Sequence, residues 1–140
     1  MSFPIVVYLL TALAAVAIVL TRLRLRVADA AGRFSISRRL PLVHFGAGIV
    51  ALVLWVGVLV APEDSALGGP LFGILAIASW WVTAICGLLI LARWLPAKGR
   101  HVPAVTGAGW SDGPGLSLLA HLGMAVGVLV FTYAYLTAAV

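Results

Sequence analysis

The chain has little charge and few reactive side chains. Only 9% of its 140 residues are charged, Asp and Glu together number 4, and Cys86 is the single cysteine. One cysteine excludes an internal disulfide bond and a cysteine-based zinc or iron–sulfur site. The long apolar runs contain no Asp, Glu, Lys or Arg. Because acid–base and nucleophilic catalysis need such groups or a metal, we expect no catalytic residues and no catalytic activity of its own.

What the chain has instead is apolar surface. It is 64% hydrophobic with a mean hydropathy of +1.18, more than a small soluble domain can bury. A hydrocarbon layer of about 30 Å needs a helix of about 20 residues, and continuous apolarity without alternation favours helices. We predict an all-α fold, a four-transmembrane-helix bundle that forms one integral membrane domain over residues 1–140. The spans are predicted at 3–21, 40–61, 70–91 and 115–139.

The basic residues indicate the orientation. All 9 Lys and Arg residues lie in two connectors, 22–39 and 93–114, whereas the remaining connector carries Glu63 and Asp64 without a base. The positive-inside rule makes the basic connectors cytoplasmic and places both termini on the extracytoplasmic side. The net charge of +5 is thus explained by topology, and we expect no nucleic-acid partner. A composition rich in Ala, Val, Leu, Gly and Arg suggests a multi-pass protein of a bacterial inner membrane.

The first basic connector has two interpretations. It is a solvated anchor that sets the topology, or it also binds anionic lipid headgroups, since each clustered arginine near a membrane surface gains about 1 kcal/mol. The arginines assigned to lipid are those at its beginning, Arg22, Arg24 and Arg26.

The two halves of the chain resemble each other. A shift of 77 residues places His44 on His121 and Gly46 on Gly123, so that both even-numbered spans begin with the pattern His-x-Gly. Two hairpins with the same direction through the membrane would be related by an axis along the membrane normal. The sequence therefore indicates two repeated helical hairpins in parallel orientation.

The last span also carries a packing motif. Gly123 and Gly127 form a GxxxG pair, which lets another helix backbone approach closely. We expect the partners of this protein to be the lipid bilayer and other membrane helices, in a homo- or hetero-oligomer.

The two histidines are the sharpest functional signal. His44 and His121 lie a few residues inside the cytoplasmic ends of their spans, at equal depth, which is the geometry needed to hold one ligand between two helices. Neutral imidazoles are axial ligands of haem b, and Arg38 and Arg39 are then the predicted contacts of the haem propionates. In its paired histidines, and in nothing further, the pattern resembles four-helix transmembrane b-type cytochromes. Room for the macrocycle is expected at the small residues one turn beyond each histidine, Gly48 and Ala125.

Other interpretations of the histidines stay open. Near the interface a histidine can reach the headgroup region or bond a neighbouring carbonyl, so both are compatible with simple packing. A metal ion or a proton relay is a further alternative, although two histidines alone make a poor metal site and we assign none. Two functions follow: a non-enzymatic accessory, assembly or interaction subunit of a membrane complex, or a b-type electron-transfer protein with His44 and His121 as ligands.

Overall fold

The prediction of an all-α membrane bundle is confirmed. In the computed structural model, which describes residues 2–30, 39–62, 64–98 and 114–140, the described chain is helical and contains no strand. Each of the four helices is long and apolar enough to cross a membrane. Their bounds are α1 Phe3–Ala30, α2 Arg39–Val60, α3 Pro70–Lys98 and α4 Pro114–Leu136.

Local sequence explains where the helices begin and end. Each helix has a proline among its first three residues, where the missing N–H costs nothing: Pro4, Pro41, Pro70 and Pro114. Helix α1 continues well beyond its apolar run because the following Arg and Leu residues are good helix formers. Helix α4 ends at Leu136, not at 139 as predicted. There Ala138 has a φ of 48°, and the Ala139 N–H donates to Ala134 O, which closes a Schellman-type cap.

The helices form a ring in chain order. Helix α3 borders α2 and α4, as does α1, while the diagonal pairs α1/α3 and α2/α4 make no close backbone approach in the described part of the chain. The closest packing is between α2 and α3, and α1 is the most loosely packed helix. Two repeated hairpins with exact two-fold symmetry would pack α4 on α1 as closely as α2 on α3. The hairpin repeat therefore stays a prediction without support from the packing.

Aromatic rings fill the centre of the bundle. Phe131 on α4 lies between two fully buried tryptophans, 5.0 Å from Trp55 on α2 and 5.4 Å from Trp80 on α3, measured between ring centroids. Buried alanines let the helices close around these rings: Ala14, Ala51, Ala76, Ala84 and Ala134. Large apolar side chains on the outside of all four helices are exposed, as a bilayer requires.

One buried hydrogen bond ties α1 to the centre, and it provides a stability test. The Trp55 indole N–H donates to Thr11 Oγ1 at 3.1 Å, and Thr11 Oγ1 donates to Val7 O at 2.8 Å. We expect Thr11→Val to lower the free energy of unfolding by about 1 kcal/mol, because it leaves a buried donor without its acceptor. The measurement is equilibrium unfolding in mixed detergent micelles.

The matched control is Thr21→Val. Thr21 is exposed and makes the same kind of local bond, to Ala17 O at 2.7 Å, and has no interhelical bond among the described residues. Its effect is expected to be close to zero. Equal losses in the two variants would show that the bond to Trp55 contributes nothing.

Candidate functional site

The structure brings the two histidines together. His44 on α2 and His121 on α4 lie on diagonal helices, yet their ring centroids are 6.1 Å apart and their planes differ by only 23°. Both imidazoles therefore point across the axis of the bundle at the same level. The two residues predicted to share a ligand are therefore adjacent in the fold, and ligand binding by the pair stays a prediction.

Helix α3 packs against both imidazoles at Gly87. A methyl group placed on Gly87 would lie 2.9 Å from His121 Cδ2 and 2.9 Å from His44 Cε1. The next nearest atom is His44 Nδ1 at 3.4 Å, so His44 faces Gly87 with its Cε1–Nδ1 edge, and both imidazoles contact α3 at the same glycine. Real Cβ atoms do not tolerate contacts this short, so the pair in this position requires glycine at 87.

The His44 ring is anchored through its other nitrogen. Nδ1 lies 2.9 Å from Thr83 O, and because a carbonyl oxygen only accepts hydrogen bonds, Nδ1 is the donor. In the neutral ring the lone pair is then on Nε2. Metal-binding histidines are ordinarily oriented in this way, with the second ring nitrogen donating to a carbonyl or carboxylate.

Sequence explains why this carbonyl is accessible. Residues four apart share a helix face, and a side chain leans toward the N-terminus and covers the preceding turn. Gly87 has no side chain to cover Thr83 O, while the Thr83 hydroxyl is engaged elsewhere, donating to Ser79 O at 2.8 Å. Positions 79, 83 and 87 of this apolar span carry small or polar residues and lie on one helix face. This pattern was the available sequence signal for the uncovered Thr83 carbonyl, and it was not used above.

The space expected at Gly48 is used differently. A Cβ there would face the Thr83 methyl at 3.5 Å and Ile18 Cδ1 of α1 at 3.8 Å. Gly48 thus lies where α2 packs against Thr83 of α3 and Ile18 of α1. Ile18 of α1 and Gly87 of α3 thus both occupy space next to the pair, and a large planar ligand between the two rings requires these helices to move apart.

The arginines predicted for the propionates and for lipid are only partly described. Arg39 is exposed in the first turn of α2. Arg38 lies outside the described residues, as do the side chains of Arg24 and Arg26. Arg22, assigned to lipid by its sequence position, lies with its guanidinium carbon 5.5 Å from the ring centroid of Phe45, the neighbour of His44.

In the described part of the chain, the two glycines predicted for helix packing do not hold another helix close to their Cβ positions. Gly123 is exposed and Gly127 is buried, and a Cβ at either would have no neighbouring atom within 4 Å. Close helix packing through these residues remains a prediction about partners outside the chain.

The donor set indicates what kind of ligand fits. A zinc ion held by protein side chains alone takes about four ligands, and no group of three or more His, Cys, Asp or Glu side chains occurs in the described part of the chain. Two imidazoles suit a metal that brings its other donors with it, as the four nitrogens of a porphyrin do. The chain matches no protein-family model, no curated protein and no solved structure.

Proposed function

We propose that this protein is a b-type haem-binding membrane protein in which His44 and His121 are the axial ligands. The observation that carries the proposal is the spacing of the two imidazoles. Two imidazoles on opposite sides of one metal, with metal–nitrogen bonds of about 2.0 Å, have ring centres about 6 Å apart. The two rings of this chain are 6.1 Å apart and nearly parallel.

The tautomer of His44 supports the same function. With Nδ1–H donating to Thr83 O, the ring is fixed in orientation and offers Nε2 as the ligand atom. Haem, when bound, supplies reversible one-electron chemistry. The chain holds the half-buried imidazoles among apolar helices, and the polarity of these surroundings would set the reduction potential.

The experiment is the absorption spectrum of the purified full chain from haem-replete cells. We expect a sharp reduced α band typical of two imidazole ligands, with one haem per chain in a haemochrome assay. Paired imidazoles also occur as plain ring contacts, which span about 4.5–7 Å between centroids. Colourless protein from haem-replete cells would therefore leave only packing for the pair and would refute the proposal.

The accessory-subunit function is the second candidate, favoured by the exposed Gly123 on α4, which has open space in front of it. A helix of another protein fits such a face. Colourless protein that purifies with a stoichiometric membrane partner is the result expected of this function. Repeated isolation of the chain without a partner would contradict it.

We also propose that the arginine-rich end of the bundle faces the cytoplasm and that both termini face outward in a bacterial inner membrane. Asp64 is exposed in the turn between α2 and α3, at the opposite end from Arg22. In a Cys86→Ser background, Asp64→Cys is expected to react with a membrane-impermeant maleimide in intact cells, whereas Ser37→Cys in the basic connector reacts only after lysis. The reverse pattern would invert the topology.

A further inference from the structure

An aromatic ring of α2 holds the arginine at the end of the apolar part of α1. The guanidinium carbon of Arg22 lies 5.5 Å from the ring centroid of Phe45. Arg22 is exposed and belongs to the last turn of the apolar stretch Phe3–Leu23, which places its charge at the level of the lipid headgroups. A cation–π contact uses the charge of the guanidinium but none of its five N–H donors. Arg22 therefore keeps its capacity to bind anionic oxygens.

An apolar groove runs from this contact into the membrane. Val19 lies one turn deeper than the arginine on α1, and Ile49 lies one turn deeper than the phenylalanine on α2. Their chain neighbours close the two helices on the inside, where Ile18 Cδ1 lies 3.8 Å from the Cβ position of Gly48. Val19 and Ile49 stay 58% and 41% exposed. We call this lipid-facing groove the α1/α2 seam.

Acidic groups lie far from the seam. Asp64 is the only acidic side chain that the structure describes, and it lies in the turn at the opposite end of the bundle. The backbone of Asp29 lies seven residues beyond Arg22 on the continuous helix α1, about 10 Å further along its axis. A guanidinium that is held by a ring, with no carboxylate partner among the described residues, is suited to bind a phosphate.

The helix register separates Arg22 from the other arginines at this end. At 100° per residue, position 26 lies one turn beyond Arg22 and within about 40° of it around α1, whereas position 24 lies about 160° away. Arg39 precedes Phe45 by six residues and lies about 120° from it around α2. Arg22, followed by position 26, is therefore the basic residue at the seam, and Arg39 is on a different face.

We infer that the α1/α2 seam binds an anionic phospholipid from the leaflet at the arginine end. The lipid phosphate contacts Arg22, and an acyl chain lies along Val19 and Ile49. Charge complementarity selects an anionic headgroup, and the exposed apolar side chains directly below it select a molecule with an acyl chain over a soluble phosphate. This inference is independent of haem binding.

The experiment measures which lipid touches the seam. In the full chain with Cys86→Ser, a bimane fluorophore is placed at Ile49→Cys or, as the control, at Val82→Cys. Val82 is exposed on α3 at the same depth, because its neighbour Thr83 packs against the residue before Ile49. Vesicles contain phosphatidylcholine and phosphatidylglycerol in one fixed ratio, and only the lipid that carries brominated, quenching acyl chains is exchanged.

The expected result is a lipid preference at one position. Corrected for mole fraction, we expect phosphatidylglycerol to occupy the seam at position 49 roughly fivefold more than phosphatidylcholine, and no preference at position 82. Arg22→Gln is expected to remove the preference at position 49, whereas Arg39→Gln, which removes the same charge from the same end, retains it. Phe45→Leu keeps the charge but removes the ring that holds it, so a reduced preference is expected there.

Each other result overturns the inference. An equal preference at positions 49 and 82, or a preference that survives Arg22→Gln, would exclude a lipid site at the seam. Equal losses in Arg22→Gln and Arg39→Gln would show general attraction by the basic end, and a full preference in Phe45→Leu would contradict a guanidinium fixed by the ring. If millimolar glycerol 3-phosphate abolishes the preference, the arginine binds soluble phosphate. Quenching at position 82 by phosphatidylcholine verifies in each variant that the bundle is inserted.

Discussion

Replacing either His44 or His121 by alanine is expected to abolish the low-spin haem spectrum and to weaken haem binding more than about 100-fold. Loss of even an outer-shell partner costs a metal site about 10- to 100-fold, and each variant removes one of the two direct ligands. The two imidazoles come from different helices, so neither can substitute for the other. The measurement is the reduced-minus-oxidised spectrum together with a haem titration of each variant.

The third histidine is the matched control. His101 lies in the second basic connector, outside the described residues, and His101→Ala is expected to leave the spectrum unchanged. Imidazole added in solution is expected to restore a low-spin spectrum to the alanine variants, because it fills the space of the missing ring. A variant at position 44 or 121 that retains the wild-type spectrum would exclude that histidine as a ligand.

The substitution Gly87→Val is expected to eliminate the site without removing any ligand. A Cβ at 87 lies 2.9 Å from a carbon of each imidazole, so both rings must shift, and the shift strains the hydrogen bond from His44 to Thr83 O. Overpacking of this kind costs about 1–3 kcal/mol, which is roughly 5- to 150-fold in affinity. We expect Gly87→Ala at the lower end of that range and Gly87→Val to lose the spectrum, as read from haem titrations.

Gly123→Ala separates this steric effect from a general effect of alanine on a helix. Gly123 is two residues from His121, and an added methyl group there meets no atom within 4 Å. Both alanine variants gain similar helix propensity, so only Gly87→Ala is expected to lose affinity. Wild-type affinity in Gly87→Val would show that the ligand, when bound, draws the imidazoles away from α3.

Combined, the two sets of variants distinguish ligation from packing. If the histidine pair is only a packing contact on Gly87, the histidine and glycine variants change the free energy of unfolding, and no haem is bound in any of them. If the pair ligates haem, the spectrum is lost in both sets even where the folded bundle persists. Circular dichroism and unfolding measurements on the same samples provide the comparison.

The sequence by itself indicated that the chain lies in a lipid bilayer and how many helices can cross it. Apolar runs long enough to cross a bilayer have no stable alternative to helices, since lipid cannot satisfy exposed backbone groups. The four helices accordingly appear where the runs lie. The equal depth of His44 and His121 was also predictable, because depth follows from the spacing along the chain, whereas their contact required the tertiary structure.

Only the tertiary structure decided which face of each helix points inward. In water, hydropathy separates core from surface, but in a membrane both the lipid-facing and the buried faces are apolar, so hydropathy leaves the rotation of each helix undetermined. The contacts of Gly87 with both imidazoles, the bond from His44 to Thr83 O and the position of Arg22 over Phe45 all depend on that rotation. The rotation of the helices is set by packing around Trp55, Trp80 and Phe131. The shapes of these rings favour one set of helix rotations among many that are equally apolar.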